Sequence, residues 1–390
     1  MRVYTGTEEP QRIVDVVAAW RTRFPRWHPL GTLARLADRG SRTLSLMPVR
    51  MSMWTARASR HILAIQEANI QPLPVWARGT PPESFQAAIL AYRRRPFPLI
   101  VNYNDPMPHC LLWGEKIGKL TPTLDRLQHR QNAFLAQYAQ AFTFPSRRLA
   151  ELMAAAAGLD RQRCFVVPHL TLHPAPLQAP PLSPGLWVIY AGSFYSSVFS
   201  DTVKAGLAKY AQNGGVLRFL FVLKRPPPAI RLWIENTLPG AKVLTDLPPA
   251  AVTGLKQQAV AELVVDSARH APLLRTKVAE AVRGQTCLLV LAPAETTTAE
   301  VATAGGGMVI SPATVDTVVD GLRQAEQQLA DPTFATTTNR QREQVAARFS
   351  ENRVVTDSAA IIDYACRRFA WQQAGSTGVE PEPPPIEAWP

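Results

Sequence analysis

Residues 186–193 read LWVIYAGS: five consecutive large apolar residues, then Ala191, Gly192 and Ser193. A continuous apolar run that short, closed by a glycine turn, predicts a strand buried on both faces. Downstream the pattern repeats. The spacing predicts a helix through about Gln212, a strand at 217–222 (LRFLFV), a helix at 229–236, a strand at 241–244 and a helix at 250–258. The series continues with a strand at 261–265 (AELVV), a helix at 274–282, a strand at 286–291, a helix at 297–304, a strand at 308–310 and a helix at 315–329. Strands alternating with helices at this interval give a parallel sheet with helices on both faces.

Upstream the same alternation recurs. Strands are expected at 71–76, 98–102 (PLIVN), 141–144 (AFTF) and 164–167 (CFVV), with helices at 54–68, from 80–84 to about Tyr92, at 120–139 and at 147–157. Thr80-Pro81-Pro82-Glu83 is a helix start, with proline in the first turn and a carboxylate close behind. Residues 1–50 read less regularly, with helices at 12–24 and 33–37 and a strand at 43–47. Leu172–Pro184 (LHPAPLQAPPLSP) is proline-rich and reads as a linker. The expected organisation is therefore an N-terminal Rossmann-like domain at 1–171, a linker at 172–185, a second Rossmann-like domain at 186–345, a C-terminal helix at 346–374 and a disordered tail at 375–390, which is rich in proline and acidic. One or two helices are expected across 340–370.

Bulk properties narrow the function classes. At 390 residues the chain exceeds one ordinary core, and two domains are the natural division. A formal charge of +12 favours an anionic partner: nucleic acid, an anionic membrane surface, or a phosphorylated small molecule. A nucleic-acid reading lacks any recognisable module or basic–aromatic stripe. Cys110, Cys164, Cys287 and Cys366 lie far apart with no CxxC pair, so neither a zinc site nor a disulfide framework is expected. The N-terminus lacks a signal-peptide core and no apolar run reaches the about 20 residues of a membrane span. The expectation is a cytoplasmic protein, with peripheral contact at the inner, anionic membrane face compatible with its charge.

In an open parallel sheet, ligands bind at the carboxyl ends of the strands and at helix N-termini. Gly192 and Ser193 stand at such a strand end, where a missing side chain lets a phosphate approach the backbone. Thr276 and Lys277 stand at a helix start, one turn before Glu280. Lys224 follows another strand. In the first half, Asp105 follows the strand at 98–102 and His109 lies close behind; a carboxylate and an imidazole there can orient a hydroxyl. The plainer readings are turn residues and solvated helix faces. HExxH, Walker A, GxSxG and GxGxxG motifs are all absent, which leaves a nicotinamide dehydrogenase unsupported.

Five stretches in order resemble the GT-B glycosyltransferases, in particular the retaining, nucleotide-sugar-dependent family 4-like group. They are GTPPESFQAAILAYRRRPFPLIVNYNDPMP at 79–108, AFTFPSRRLAELMAAAAGLDRQRCFVVPH at 141–169, LWVIYAGSFYSS at 186–197, TKVAEAVRGQTCLLVLAP at 276–293, and the helix carrying Ala347-Arg348-Phe349-Ser350. The resemblance covers about residues 70–370 and implies two Rossmann-like doubly wound domains facing across a cleft. It further implies that Gly192 and Ser193 face donor phosphates, that Lys277 with Thr276 neutralises the diphosphate and that Glu280 binds the ribose. The resemblance also implies that Asp105 and His109 border the acceptor, a carbohydrate or lipid-linked molecule, in cell-surface polysaccharide or glycolipid synthesis. No metal or other cofactor is required, because helix dipoles and basic side chains carry the leaving group's charge. The sequence departs from the pattern at Asn104, where the family has arginine, and at Pro272, where many members have a glutamate. The basic residue after the glycine turn is replaced by Ser196-Ser197-Val198-Phe199, and Lys224 or Arg225 is the candidate substitute. These departures keep open a non-catalytic GT-B-like binding or assembly protein. A sugar-nucleotide epimerase of the same shape calls for histidines in the cleft, for which His169 and His173 are available.

Overall fold

The computed structural model describes residues 49–79, 83–107, 121–169, 179–194, 198–224, 226–284 and 286–389. The helices expected at 12–24 and 33–37, the strand at 43–47, His109, Cys110, His173 and most of the proline-rich linker lie outside the described residues. The chain forms two compact units. One takes the described residues up to Phe144, together with Leu149–Phe165 and Ser358–Glu387. The other takes Pro145–Arg148 and Val166–Asp357, with the last residues of the chain.

The first unit holds a four-stranded sheet in the order β1 (Val75–Arg78), β2 (Leu99–Asn102), β3 (Ala141–Phe144), β4 (Cys164–Val166). The pairings β1–β2 and β2–β3 are parallel. Helices α1 (Val49–Glu67), α2 (Glu83–Arg94), α3 (Thr121–Tyr138) and α4 (Arg147–Ala157) alternate with these strands. Its core is aromatic. Tyr103, just past β2, stacks on Phe144 at 5.6 Å and meets Phe85 edge-on at 5.1 Å. The buried Tyr103 hydroxyl donates to Asn132 Oδ1 at 2.9 Å, and Asn132 Nδ2 donates to the Met107 carbonyl at 2.7 Å, so the Tyr103 hydroxyl and the Asn132 amide are both engaged.

The second unit is built on six strands: β5 (Leu186–Gly192), β6 (Leu217–Leu223), β7 (Lys242–Thr245), β8 (Ala261–Val265), β9 (Leu288–Leu291) and β10 (Met308–Ile310). All pairings are parallel, in the order β7-β6-β5-β8-β9-β10. Between them run α5 (Asp201–Gln212), α6 (Pro228–Thr237), α7 (Pro249–Gln258), α8 (Thr276–Arg283) and α9 (Thr297–Ala304), followed by α10 (Val315–Ala330) and α11 (Phe334–Arg348). Both sheet faces are covered. Val188, Tyr190, Phe219, Phe221, Leu263 and Leu289 point to one side, against α5 and α10. Trp187, Ile189, Leu220 and Val222 point to the other, against Leu255 of α7, and Val264, Leu288 and Val290 pack there against α8 and α9. A period of two with both phases apolar is why these strands read as continuous hydrophobic runs.

The long final helix, α12 (Glu351–Gln373), begins in the second unit, and its residues from Ser358 onward pack with the first. There Tyr364 meets Phe165 edge-on at 5.5 Å and Gln140 Nε2 donates to Gln372 Oε1 at 2.7 Å. Of the one or two helices expected across 340–370 the chain has two, α11 and α12, separated at Phe349–Ser350. The tail, expected to be disordered, has no helix or strand over its described residues; along it Glu380 pairs with Arg368, and Trp389 packs on Phe349 with the Arg348 guanidinium 4.5 Å from its ring centre.

Gly206 shows how tightly α5 meets α10. A Cβ placed there lies 2.5 Å from Val318 Cβ, an atom whose position is fixed by its backbone and that rotamer changes cannot move. Gly206→Ala is expected to destabilise the protein by about 1–3 kcal/mol, read as a lower urea midpoint.

Candidate functional site

The strand order of the second unit runs outward from β5 through β6 to β7, then restarts beside β5 with β8 and continues to β10. The chain changes direction between β5 and β8, and a crevice at such a reversal is where open parallel sheets bind ligands. Gly192 closes β5 with φ +133, a backbone region that L side chains rarely adopt. A side chain there would also meet the Lys277 ammonium, since a Cβ on Gly192 falls 3.6 Å from Lys277 Nζ. The absent side chain keeps open the space between the strand end and that cation.

Lys277 is the second residue of α8 and reaches back over the sheet edge. Its Nζ lies 3.9 Å from the ring centre of Tyr190, a cation–π contact. Among the described residues no carboxylate comes within ion-pair distance of it. Burial therefore lowers the Lys277 pKa to about 8, with Arg275 and Lys256 adding to the effect and Glu262 opposing it. A folded-state pKa below the unfolded value means that protonation costs stability. That cost is present in full below about pH 8 and fades as pH rises from there toward the ordinary 10.5. An anion at Gly192 would supply the missing counter-charge and reverse the shift.

The start of α8 adds donors. Arg275 occupies the N-cap but makes no side-chain capping bond. Its guanidinium is engaged by Asp266, with Nη2 2.8 Å from Oδ1. The helix N-terminus is left without an acceptor from its own cap, the arrangement that favours an anionic ligand. Asp266 directly follows β8, is buried, and also accepts from the Ser267 N–H at 2.9 Å and the Thr298 hydroxyl at 2.7 Å. It ties the starts of α8 and α9 to the sheet edge. Beside it, Ser267 Oγ stands 2.9 Å from His270 Nδ1, and Asp266 Oδ1 stands 3.9 Å from the same nitrogen. A nucleophile triad needs acid and serine on opposite ring nitrogens, so this trio has no relay geometry. Burial, with Arg275 nearby, lowers the His270 pKa and keeps the ring neutral at pH 7.

Beneath the crevice lies a second layer of charge. Glu262, in the middle of β8, is fully buried, and its Oε1 is 2.8 Å from Lys256 Nζ of α7. Apart from that contact neither oxygen has a hydrogen-bond partner among the described residues. Lys256 Nζ also donates to Glu280 Oε2 on α8 at 3.2 Å. Burial raises the Glu262 pKa, against the pull of Lys256. Burial pushes Lys256 down, but its two carboxylates outweigh that and its pKa is raised.

Of the residues singled out from sequence, Gly192 and Lys277 meet directly, and Glu280 sits one turn along α8 with Lys256 as its partner. Thr276 is exposed at the helix start. Ser193 is exposed and its carbonyl accepts from the Tyr190 hydroxyl at 2.6 Å. Lys224 is exposed one residue beyond Leu223, the register partner of Gly192, so it stands at the same sheet edge without touching the pair. Asp105 lies in the turn after β2, in the other unit. Sequence reasoning passed over Tyr190, Lys256, Glu262, Asp266 and Arg275. Glu262 carried a signal: a carboxylate inside the otherwise apolar strand AELVV has to be paired. The free thiols are inert candidates, since burial raises Cys164 to about 12 and Cys287 to about 11. Among the described residues no cluster of His, Cys, Asp and Glu could hold a metal ion, and no helix is long and apolar enough to cross a membrane.

The chain matches no family model and no curated protein. Solved structures do match. Sucrose-phosphate synthase from Thermosynechococcus elongatus aligns with a TM-score of 0.58 at 13% identity, over 85% of this chain and 81% of its own. A glycosyltransferase from Rickettsia africae aligns at 0.57 and 10% identity, over 80% and 82%. The α,α-trehalose 6-phosphate synthase of Burkholderia multivorans aligns at 0.53 and 12% identity, over 93% and 82%. The chain has the two-sheet α/β fold of these enzymes, the GT-B fold.

The reactivity of Lys277 tests the geometry without any ligand. Its acylation by acetic anhydride, followed by peptide mass spectrometry, is expected to reach half its limiting rate near pH 8, where an ordinary lysine does so near 10.5.

Proposed function

We propose that this protein is a glycosyltransferase that binds a nucleotide diphosphate sugar at the β5–β8 crevice and passes the sugar to a carbohydrate or lipid-linked acceptor. The observation that carries the reading is the Lys277 ammonium, without a carboxylate partner among the described residues, facing the open backbone of Gly192 at the point where the strand order reverses. A diphosphate fits both needs: it restores the cation's counter-charge and lies against a backbone with no side chain. In transfer, the bond from the sugar's anomeric carbon to the diphosphate oxygen breaks and negative charge grows on the departing phosphate. A fixed ammonium and the unpaired N–H groups opening α8 stabilise that charge more than they stabilise the intact donor. Glu280 is the ribose-binding candidate, and Ser193, Thr276 and Lys224 line the same edge. Asp105 and His109 are proposed for the acceptor side. Retention of configuration and a place in cell-surface polysaccharide or glycolipid synthesis rest on the family resemblance. The fold supports the reading, because sucrose-phosphate and trehalose-phosphate synthases share it.

Pro272 at the position where many family members have a glutamate favours a second reading, a binding protein of this fold that does not turn over. A panel of UDP-, GDP- and dTDP-sugars separates the two. At about 100-fold excess over Kd, the right donor is expected to add about 2.7 kcal/mol of stability. Lys277→Ala is expected to cost about 2–5 kcal/mol of that binding and to abolish the shift. Stabilisation with donor hydrolysis or transfer supports the enzyme; stabilisation alone supports the binding protein; no shift with any donor overturns both.

A further inference from the structure

Three charged side chains from three elements meet below the crevice, and only Glu280 among them is substantially exposed. Glu262 comes from β8, Lys256 from α7 and Glu280 from α8. Lys256 Nζ is 2.8 Å from the fully buried Glu262 Oε1 and 3.2 Å from Glu280 Oε2. The Glu280 side chain is 41% exposed and that of Lys256 13%.

Such a buried pair is poor material for stability. Withdrawing a carboxylate and an ammonium from water costs several kcal/mol each, and an apolar pair of equal volume does as well or better. Glu262 is also under-satisfied, since the Lys256 contact is its sole polar partner among the described residues. Its place is therefore better explained by what it fixes. A lysine on four flexible methylenes does not hold a surface glutamate in one rotamer by itself. Clamped at its far end by a carboxylate that cannot move, because it belongs to a central strand, Lys256 becomes a rigid post. Glu280 then has Oε2 occupied and Oε1 left to present.

Resting on the donor reading above, we propose that Lys256, anchored by Glu262, is a positioning residue that fixes Glu280 to recognise the vicinal hydroxyls of a ribose. The ribose 2′-hydroxyl donates to Glu280, and the Lys256–Glu262 pair holds that acceptor still. Neither Lys256 nor Glu262 touches the nucleotide.

The test has two arms, run on the full chain as wild type, Lys256→Met, Glu280→Gln, and a double variant Lys256→Met/Glu262→Leu that removes both buried charges and keeps an apolar core if the single variant does not fold. The first arm compares the Kd of UDP with that of 2′-deoxy-UDP by calorimetry. Wild type is expected to prefer the ribonucleotide about tenfold, the weight of one charge-assisted hydrogen bond. Lys256→Met, or the double variant, is expected to lose that preference as fully as Glu280→Gln does, with combination of the two giving no further loss; general damage would weaken both nucleotides alike and leave their ratio. The second arm needs no nucleotide: carbodiimide labelling of Glu280, read by peptide mass spectrometry, is expected to accelerate about tenfold when Lys256 is removed. A retained ribose preference in the lysine variants, or an unchanged labelling rate, overturns the proposal. If wild type binds neither nucleotide, the donor reading fails and with it the ribose assignment. In that case the labelling arm alone decides whether Lys256 positions Glu280.

Discussion

A parallel sheet covered on both faces leaves a ligand only its edge. In the second unit that constraint follows from strands whose residues are apolar in both phases, Trp187 and Ile189 to one side, Val188 and Tyr190 to the other. With both faces closed, polar chemistry is confined to the strand ends and to charges that can be paired inside. The structure uses both. Gly192, Lys277, Asp266 and Arg275 gather at the carboxyl edge, and Glu262 with Lys256 is sealed beneath it.

The electrostatics of the edge have a direction. Asp266 is saturated by Arg275, Thr298 and a backbone N–H. Glu262 and Glu280 share Lys256. Among the described residues Lys277 has no carboxylate within ion-pair distance, and it lies beside the open glycine. Were the arrangement only structural, the ammonium would gain by turning to water or to Glu280, one turn away. It stacks on Tyr190 instead, in a buried position that lowers its proton affinity.

Much of this was legible in the sequence. The strands at 141–144, 261–265 and 308–310 and the helices at 147–157 and 297–304 fall where periodicity places them, because long apolar runs between glycine and proline turns admit few other readings. Gly192 and Lys277 were legible for the same reason, as residues whose positions at a strand end and a helix start carry chemical meaning. The supporting layer was not. Lys256 looks like an exposed helix lysine until α7 is folded onto β8, and Asp266 looks like a loop residue until Arg275 and Thr298 close on it. These contacts join residues 9 to 32 positions apart, a separation that periodicity does not encode.

The central claim is that the space between Gly192 and Lys277 is a diphosphate site. A crystal structure of the protein with a nucleoside diphosphate bound tests it most directly. The account predicts the diphosphate against the Gly192 backbone and the opening turn of α8, with Lys277 Nζ in hydrogen-bond contact with a phosphate oxygen. A nucleotide bound elsewhere, or one seated at this edge with Lys277 still turned to Tyr190 and away from its phosphates, would contradict it.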